Sequence, residues 1–198
     1  MLSQIDTILF PDECEILEVA KNRYVYPIHK NGSTSLHNSG FRKLAQSEIG
    51  KLDIIEVFVR DPIERYVSGV SKFINDSDFD YYTVLHFVEN YLFLNNHYAP
   101  QFYWLLNLQR FTQAKMLLRP VSELCTVTKL HDNQSETNKL VSPTDKVEFY
   151  MKLDQVLVGE LLGRTVTFKQ IVQTIKHRYP EVYKEVVQRS IDLCNVLV

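Results

Sequence analysis

One lysine, one asparagine, one glycine and three hydroxyl side chains follow one another in Lys30-Asn31-Gly32-Ser33-Thr34-Ser35. If this hexapeptide turns from a strand into a helix, its consecutive backbone N–H groups point at one spot, where the helix dipole favours negative charge. The glycine permits close approach of the backbone, the hydroxyl groups add donors, and Lys30 adds a positive charge. The pattern predicts a phosphate site. The alternative is an ordinary loop with a surface lysine, since the order differs from the ATP-binding loop G-x-x-x-x-G-K-[ST].

A second candidate anion site lies in Arg60-Asp61-Pro62-Ile63-Glu64-Arg65-Tyr66-Val67-Ser68-Gly69. Arg60 ends an apolar run, at the kind of strand end where open α/β sheets bind ligands. A guanidinium binds phosphate oxygens with two hydrogen bonds, and the Ser68 hydroxyl lies nearly two turns into the helix that follows. The alternative is that Asp61 only caps this helix, Arg65 pairs with a neighbouring acid, and Ser68 is solvated.

A histidine is the preferred candidate for a general base. His97 is chosen because an unperturbed imidazole pKa of about 6.5 suits proton abstraction near neutrality. The alternative for His97 is to cap a helix, since it lies between two helical stretches. His29, next to Lys30, is the second candidate base, and Glu64 is the third, although a capping role competes for it.

The elements that must position these residues alternate between strand and helix. Strands are predicted over 24–28 and 53–59, and Asp61 as N-cap with Pro62 at N1 predicts a helix that a polar break at 75–78 ends. Further helices are predicted over 83–94 and 100–111, short strands over 115–119 and 125–130, and a loop over 131–146. From Val147 the pattern is helical, with Gly163 as an interruption and Pro180 opening a last helix to about 191. This alternation predicts an α/β fold with a mostly parallel sheet.

Composition limits the class of protein. The chain has 198 residues, enough for one domain, and 45% of them are hydrophobic, which supplies a core. Because 22 basic residues nearly balance 24 acidic ones, a general nucleic-acid or membrane-surface binder is disfavoured. No apolar run approaches the ~20 residues of a membrane span, and residues 1–10 lack the basic region of a secretory signal. Cys14, Cys125 and Cys194 lie far apart, which predicts reduced thiols in a cytoplasmic protein and neither a zinc site nor a disulfide framework.

These motifs resemble those of the sulfotransferases that use 3′-phosphoadenosine 5′-phosphosulfate (PAPS). The strand followed by Lys-x-Gly-Ser-Thr-Ser resembles the family's loop for the 5′-phosphosulfate, and Arg60-x-Pro-x-x-Arg-x-x-Ser68-Gly resembles its element for the 3′-phosphate. Two weaker matches resemble the carbohydrate-sulfotransferase-like branch: His97-x-x-Pro100-Gln101, and Asn133-x-Ser135 followed by Tyr150-x-x-x-Asp154. The resemblance spans residues 24–160. It departs from the family at His29, where a proline usually precedes the loop lysine.

The resemblance implies a P-loop-like three-layer α/β fold, with a central mostly parallel sheet flanked by helices. The chain would be a single domain, 1–198, with a core over 24–160 and a helical extension over 161–198. The membrane anchor of the Golgi members has no counterpart, which implies a soluble microbial or viral relative located in the cytoplasm. Nucleic acid and membranes are not expected partners.

The implied reaction is sulfuryl transfer from PAPS to an acceptor hydroxyl, on a saccharide in this branch, without a metal. Lys30 would contact the oxygen that bridges phosphate and sulfate, and the backbone of Asn31, Gly32, Ser33, Thr34 and Ser35 would hold the 5′-phosphate. Arg60 and Ser68 would hold the 3′-phosphate. Two other functions stay open at this point: a nucleotide-dependent phosphotransferase, and a binding module that holds the nucleotide without turnover.

Overall fold

Six strands form one open sheet in the computed structural model, which describes residues 14–76, 80–90, 97–128 and 145–184. They are β1 (Leu17–Ala20), β2 (Arg23–Tyr26), β3 (Arg42–Lys43), β4 (Ile54–Val59), β5 (Lys115–Pro120) and β6 (Thr165–Val166), in the order β3-β1-β2-β4-β5-β6. The three central strands, β2, β4 and β5, are parallel, whereas β1, β3 and β6 pair antiparallel. The expected parallel sheet therefore describes only the centre of a mixed sheet.

Within the described ranges, eight α-helices accompany the sheet. They are α1 (Ser33–Asn38), α2 (Gln46–Ile49), α3 (Pro62–Asp76), α4 (Tyr81–Asn90), α5 (Gln101–Gln109), α6 (Asp145–Leu161), α7 (Phe168–Arg178) and α8 (Pro180–Val182). The predicted start of α3 is confirmed, because the Asp61 carboxylate accepts a hydrogen bond from the Glu64 N–H at 3.0 Å and Pro62 is the first helical residue. This helix is described as far as Asp76, and residues 77 and 78 of the predicted polar break lie outside the described residues.

Alternate side chains of β4 enter a core on each face of the sheet. Ile55, Val57 and Val59 belong to the main core, to which α3, α5, α6 and α7 contribute. Phe58 points into a smaller cluster that includes Leu36 of α1. A strand that is buried on both faces has an apolar sequence, which is why residues 53–59 could be recognised as a central strand.

Two predicted features after β5 are wrong. Residues 125 and 126 belong to a 3-10 helix, Val121–Thr126, instead of a strand. The β-prone residue types do not decide the outcome here, because β4 and β6 already occupy both edges of β5. The extension after residue 160 is not purely helical either, since it contributes β6, and Ile171 and Ile175 of α7 are buried in the main core.

The structure describes only some of the residues on which the remaining predictions depend. The predicted loop over 131–146 lies almost wholly outside the described residues, as do Asn133, Ser135 and Cys194. Burial raises the pKa of the Cys14 thiol to about 12, whereas Cys125 is exposed. Among the described residues, no helix combines the length and the apolar character that are needed to cross a membrane.

Candidate functional site

The first loop of the site joins β2 to α1, and two of its residues have a left-handed backbone conformation. Lys30 has φ 67° and Gly32 has φ 81°, and the Asn31 N–H closes a turn on the Ile28 carbonyl at 3.1 Å. A Cβ atom on Gly32 would lie 2.1 Å from Leu124 Cδ2, the end of a flexible side chain of the 3-10 helix, so it is the left-handed conformation of Gly32 that favours glycine. Gly32 is the N-cap of α1, so the N–H groups of Ser33 and Thr34 have no acceptor within the helix. The predicted strand, tight turn and helix are all present.

The second loop leaves β4 at the same edge of the sheet. β2 and β4 are parallel neighbours, with Tyr26 opposite Val57, so their carboxyl ends lie side by side. Arg60 directly follows β4, and its Nε lies 3.3 Å from Glu64 Oε2 one helical turn further on. The Arg60 side chain keeps about a quarter of its surface exposed, whereas Ser68 on α3 is buried. The fold therefore places the two predicted anion sites next to each other.

A single buried amide joins these two loops. Gln101 Oε1 accepts hydrogen bonds from Asn31 Nδ2 at 2.7 Å and from the Arg60 backbone N–H at 2.9 Å. Gln101 Nε2 donates to the Arg60 carbonyl at 2.8 Å. Asn31 Nδ2 also donates to the Phe58 carbonyl of β4 at 2.9 Å. Asn31 and Gln101 are almost completely buried, so these bonds are shielded from water.

Two buried charges lie behind this amide. Asp154 of α6 accepts hydrogen bonds from the Gln101 N–H at 2.5 Å and the Phe102 N–H at 2.8 Å, and so caps α5. Arg65 of α3 donates from Nε to the His29 carbonyl at 3.1 Å and from Nη1 to the Ala99 carbonyl. Burial raises the pKa of Asp154 to about 6 and lowers the pKa of Arg65 to about 10, although each charge stabilises the other. The backbone before Lys30 and the start of α5 are thus held by buried ionisable groups.

The two candidate histidine bases are in contact. The rings of His29 and His97 meet edge to face, with centroids 5.9 Å apart, and His29 also stacks on Trp104 at 5.3 Å. Burial lowers the pKa of His29 to about 4, and the nearby His97 and Arg65 add to this shift. His29 is therefore neutral near pH 7.

A glycine on α3 permits the segment that carries His97 to approach this closely. A Cβ atom on Gly69 would lie 2.2 Å from the His97 carbonyl oxygen and 3.2 Å from Tyr98 Cα. The backbone of residues 97 and 98 therefore packs directly on α3. The third candidate base, Glu64, lies on the exposed first turn of α3 beside Arg60.

Sequence reasoning missed the role of Trp104, gave Arg65 only as the partner of a neighbouring acid, and gave Gln101 and Asp154 only as matches to weak motifs. A signal for Asp154 exists, because it shares helical spacing with Tyr150 and Leu157 on an apolar face, and a carboxylate there must be paired or hydrogen-bonded. Arg65 has no comparable signal, since arginine on a helix is most often solvated. In the part of the chain that the structure describes, no three His, Cys, Asp or Glu side chains are grouped as a metal site requires.

No protein-family model, no curated protein and no solved structure matches this chain. The functional interpretation therefore depends on the motifs and on the geometry of the two loops.

Proposed function

We propose that this chain is a sulfotransferase that moves the sulfuryl group of PAPS to an acceptor hydroxyl on a saccharide. The observation that carries the proposal is that two loops, at the carboxyl ends of adjacent parallel strands, are hydrogen-bonded to the same buried amide of Gln101. One loop opens α1 with Lys30 and Gly32, and the other presents Arg60. Two anion-binding elements at a fixed separation suit a ligand with two phosphate groups, such as the 3′- and 5′-phosphates of PAPS.

In the proposed reaction, the acceptor oxygen attacks sulfur in line with the bond from sulfur to the 5′-phosphate oxygen. That bond breaks, 3′,5′-adenosine bisphosphate leaves, and the base takes the proton of the acceptor hydroxyl. Lys30 neutralises the charge that develops on the departing phosphate, and the N-terminus of α1 holds the same phosphate. Positioning and electrostatic stabilisation supply most of the rate in such a transfer.

Among the three candidate bases, the surroundings of each side chain favour His97. A group with a pKa of about 4, as His29 has, is a poor proton acceptor at neutral pH. Glu64 is engaged by Arg60 at 3.3 Å, beside the proposed site of the 3′-phosphate. We therefore propose that His97 accepts the proton, while the neutral His29 and Trp104 form the wall against which His97 lies.

Nucleotide binding tests the proposal directly. The affinity for 3′,5′-adenosine bisphosphate is measured by calorimetry on the wild type and on Lys30→Ala and Arg60→Ala. ADP, the isomer that carries both phosphates at the 5′ position, is the control ligand. Lys152→Ala and Arg42→Ala are the matched controls, because both side chains are more than half exposed and pair with acids elsewhere on the surface. We expect each site variant to weaken binding by about ten-fold or more, as the loss of a charge-assisted contact predicts. Equal binding of ADP, or no binding, would overturn the proposal.

Transfer itself is tested with radiolabelled PAPS and unsulfated polysaccharides, desulfated heparin and chondroitin, as acceptors. We expect His97→Ala to lower transfer by about 10²- to 10⁴-fold, as the loss of a general base predicts, and to leave the affinity for the bisphosphate unchanged. A variant that keeps full transfer would remove His97 from the role of base.

A further inference from the structure

We infer that Gln101 is a positioning residue that sets the separation of the two phosphate loops, and thereby makes this site selective for a 3′,5′-bisphosphate over either monophosphate. The inference rests on the proposed function, because it takes the loops around Lys30 and Arg60 as the two phosphate sites. The Gln101 side chain lies between the two loops and is hydrogen-bonded to both.

The hydrogen bonds of the Gln101 side chain connect the two loops and so act as a spacer between them. Its Oε1 receives one N–H from each loop, at 2.7 Å from Asn31 Nδ2 and 2.9 Å from the Arg60 backbone nitrogen. Its Nε2 returns a bond to the Arg60 carbonyl at 2.8 Å, so Arg60 is held at both its N–H and its carbonyl. A change in the separation of the loops must break at least one of these bonds.

The backbone of Gln101 is itself fixed by hydrogen bonds to Asp154 of α6. Asp154 accepts hydrogen bonds from the Gln101 and Phe102 N–H groups, which fixes the first turn of α5 against α6. Gln101 and Asp154 are both almost completely buried, so water does not replace these bonds easily. The side chain therefore projects from a fixed backbone, and it transmits that position to both loops.

Such an arrangement affects a two-phosphate ligand more than a one-phosphate ligand. When the loops are held at a matching distance, the second phosphate of a bisphosphate binds in an intramolecular step at a high effective concentration. When the loops move independently, the ligand must order them on binding, and part of this advantage is lost. A monophosphate uses only one loop, so it does not sense the separation.

The test compares three nucleotides on variants of the intact chain. Affinities for 3′,5′-adenosine bisphosphate, adenosine 5′-monophosphate and adenosine 3′-monophosphate are measured through the fluorescence of Trp104, the single tryptophan, which stacks on His29 beside Lys30. Gln101→Met removes every hydrogen bond of the side chain at similar volume. Gln109→Met, at the other end of the same helix, is the matched control.

We expect Gln101→Met to weaken the bisphosphate by about ten-fold or more and each monophosphate by less than about three-fold, as loss of effective concentration predicts. Gln109→Met should change none of them. If thermal unfolding shows that Gln101→Met does not fold, Asn31→Ala carries the same test, because it cuts the bridge from the first loop and leaves Gln101 in place.

The outcomes separate the two proposals. Equal loss for all three nucleotides would make Gln101 a merely structural residue, and an unchanged bisphosphate affinity would remove its role; either result overturns the inference and leaves the proposed function intact. A wild type that does not prefer the bisphosphate to ADP would overturn the proposed function, and the inference would fall with it.

Discussion

Replacing Gly69 by alanine tests whether the segment that carries His97 lies directly on α3. The added Cβ atom would be 2.2 Å from the His97 carbonyl oxygen and 2.8 Å from the carbonyl carbon. Both are backbone atoms, so no side chain can rotate away to make room. The segment must move by about 1 Å before the contact becomes tolerable in a close-packed interior.

The expected effect is the difference between two opposing contributions. Overpacking of a core costs about 1–3 kcal/mol, and alanine gains about 1 kcal/mol over glycine inside a helix. We therefore expect Gly69→Ala to lower the free energy of unfolding by up to about 2 kcal/mol, which for a chain of this size lowers Tm by up to roughly 8 °C.

Gly159→Ala is the matched control, because Gly159 is also within a helix, α6, and a Cβ atom there would meet nothing within 4 Å. We expect this control to stabilise the chain by about 0.5–1 kcal/mol, so the two substitutions should change stability in opposite directions. Urea unfolding of both variants measures the difference. If Gly69→Ala stabilises the chain as Gly159→Ala does, the close packing of residues 97 and 98 on α3 is refuted.

Two further predictions concern charge. Glu64→Gln removes the carboxylate that lies 3.3 Å from Arg60. We therefore expect calorimetry at low salt to show about two- to five-fold tighter binding of the bisphosphate. Glu160→Gln, which removes the exposed partner of Arg178, is the control and should leave binding unchanged. Weaker binding would contradict the placement of the 3′-phosphate at Arg60. The second prediction concerns the dependence of stability on pH. Because the folded-state pKa of Asp154 is raised to about 6, ionisation of this group lowers the free energy of unfolding as pH rises from about 4 to 6. Asp154→Asn should remove that decrease. His29 has the opposite sign, since its lowered pKa of about 4 contributes a loss of stability as pH falls from about 6.5 to 4, which His29→Gln should remove. Urea unfolding at several pH values between 4 and 7 should therefore give the two variants slopes of opposite sign relative to the wild type, and parallel profiles would contradict the assigned burial.

The parts of the fold that could be predicted from the sequence are those in which local pattern and tertiary environment agree. Residues 55–59 of the predicted strand 53–59 are buried on both faces of the sheet, and Asp61-Pro62 begins a helix whatever it packs against. The loop at Lys30 could be predicted for a similar reason, because Gly32 takes a left-handed conformation that its residue type favours.

The parts that could not be predicted are decided by partners far away in the chain. β6 has only two residues, and it is a strand because β5 offers it an edge. The β-prone residues 125 and 126 form a 3-10 helix, because β5 already pairs with β4 on one side and with β6 on the other. The role of Gln101 is equally non-local, since its side-chain partners are 41 and 70 residues away. No spacing within one helix reports such a contact.

The buried pair of Arg65 and Asp154 indicates what the site requires of the fold. Burial shifts the pKa of each group toward its neutral form, so the attraction between the two charges does not offset the loss of hydration. Two apolar side chains of similar volume would stabilise the core at least as well. The charged pair makes directed hydrogen bonds that apolar groups cannot make: Arg65 holds the His29 and Ala99 carbonyls, and Asp154 holds the N–H groups that begin α5. Those bonds fix the backbone before Lys30 and the backbone of Gln101. The charged pair therefore holds both loops in one geometry, and it does so at the expense of core stability.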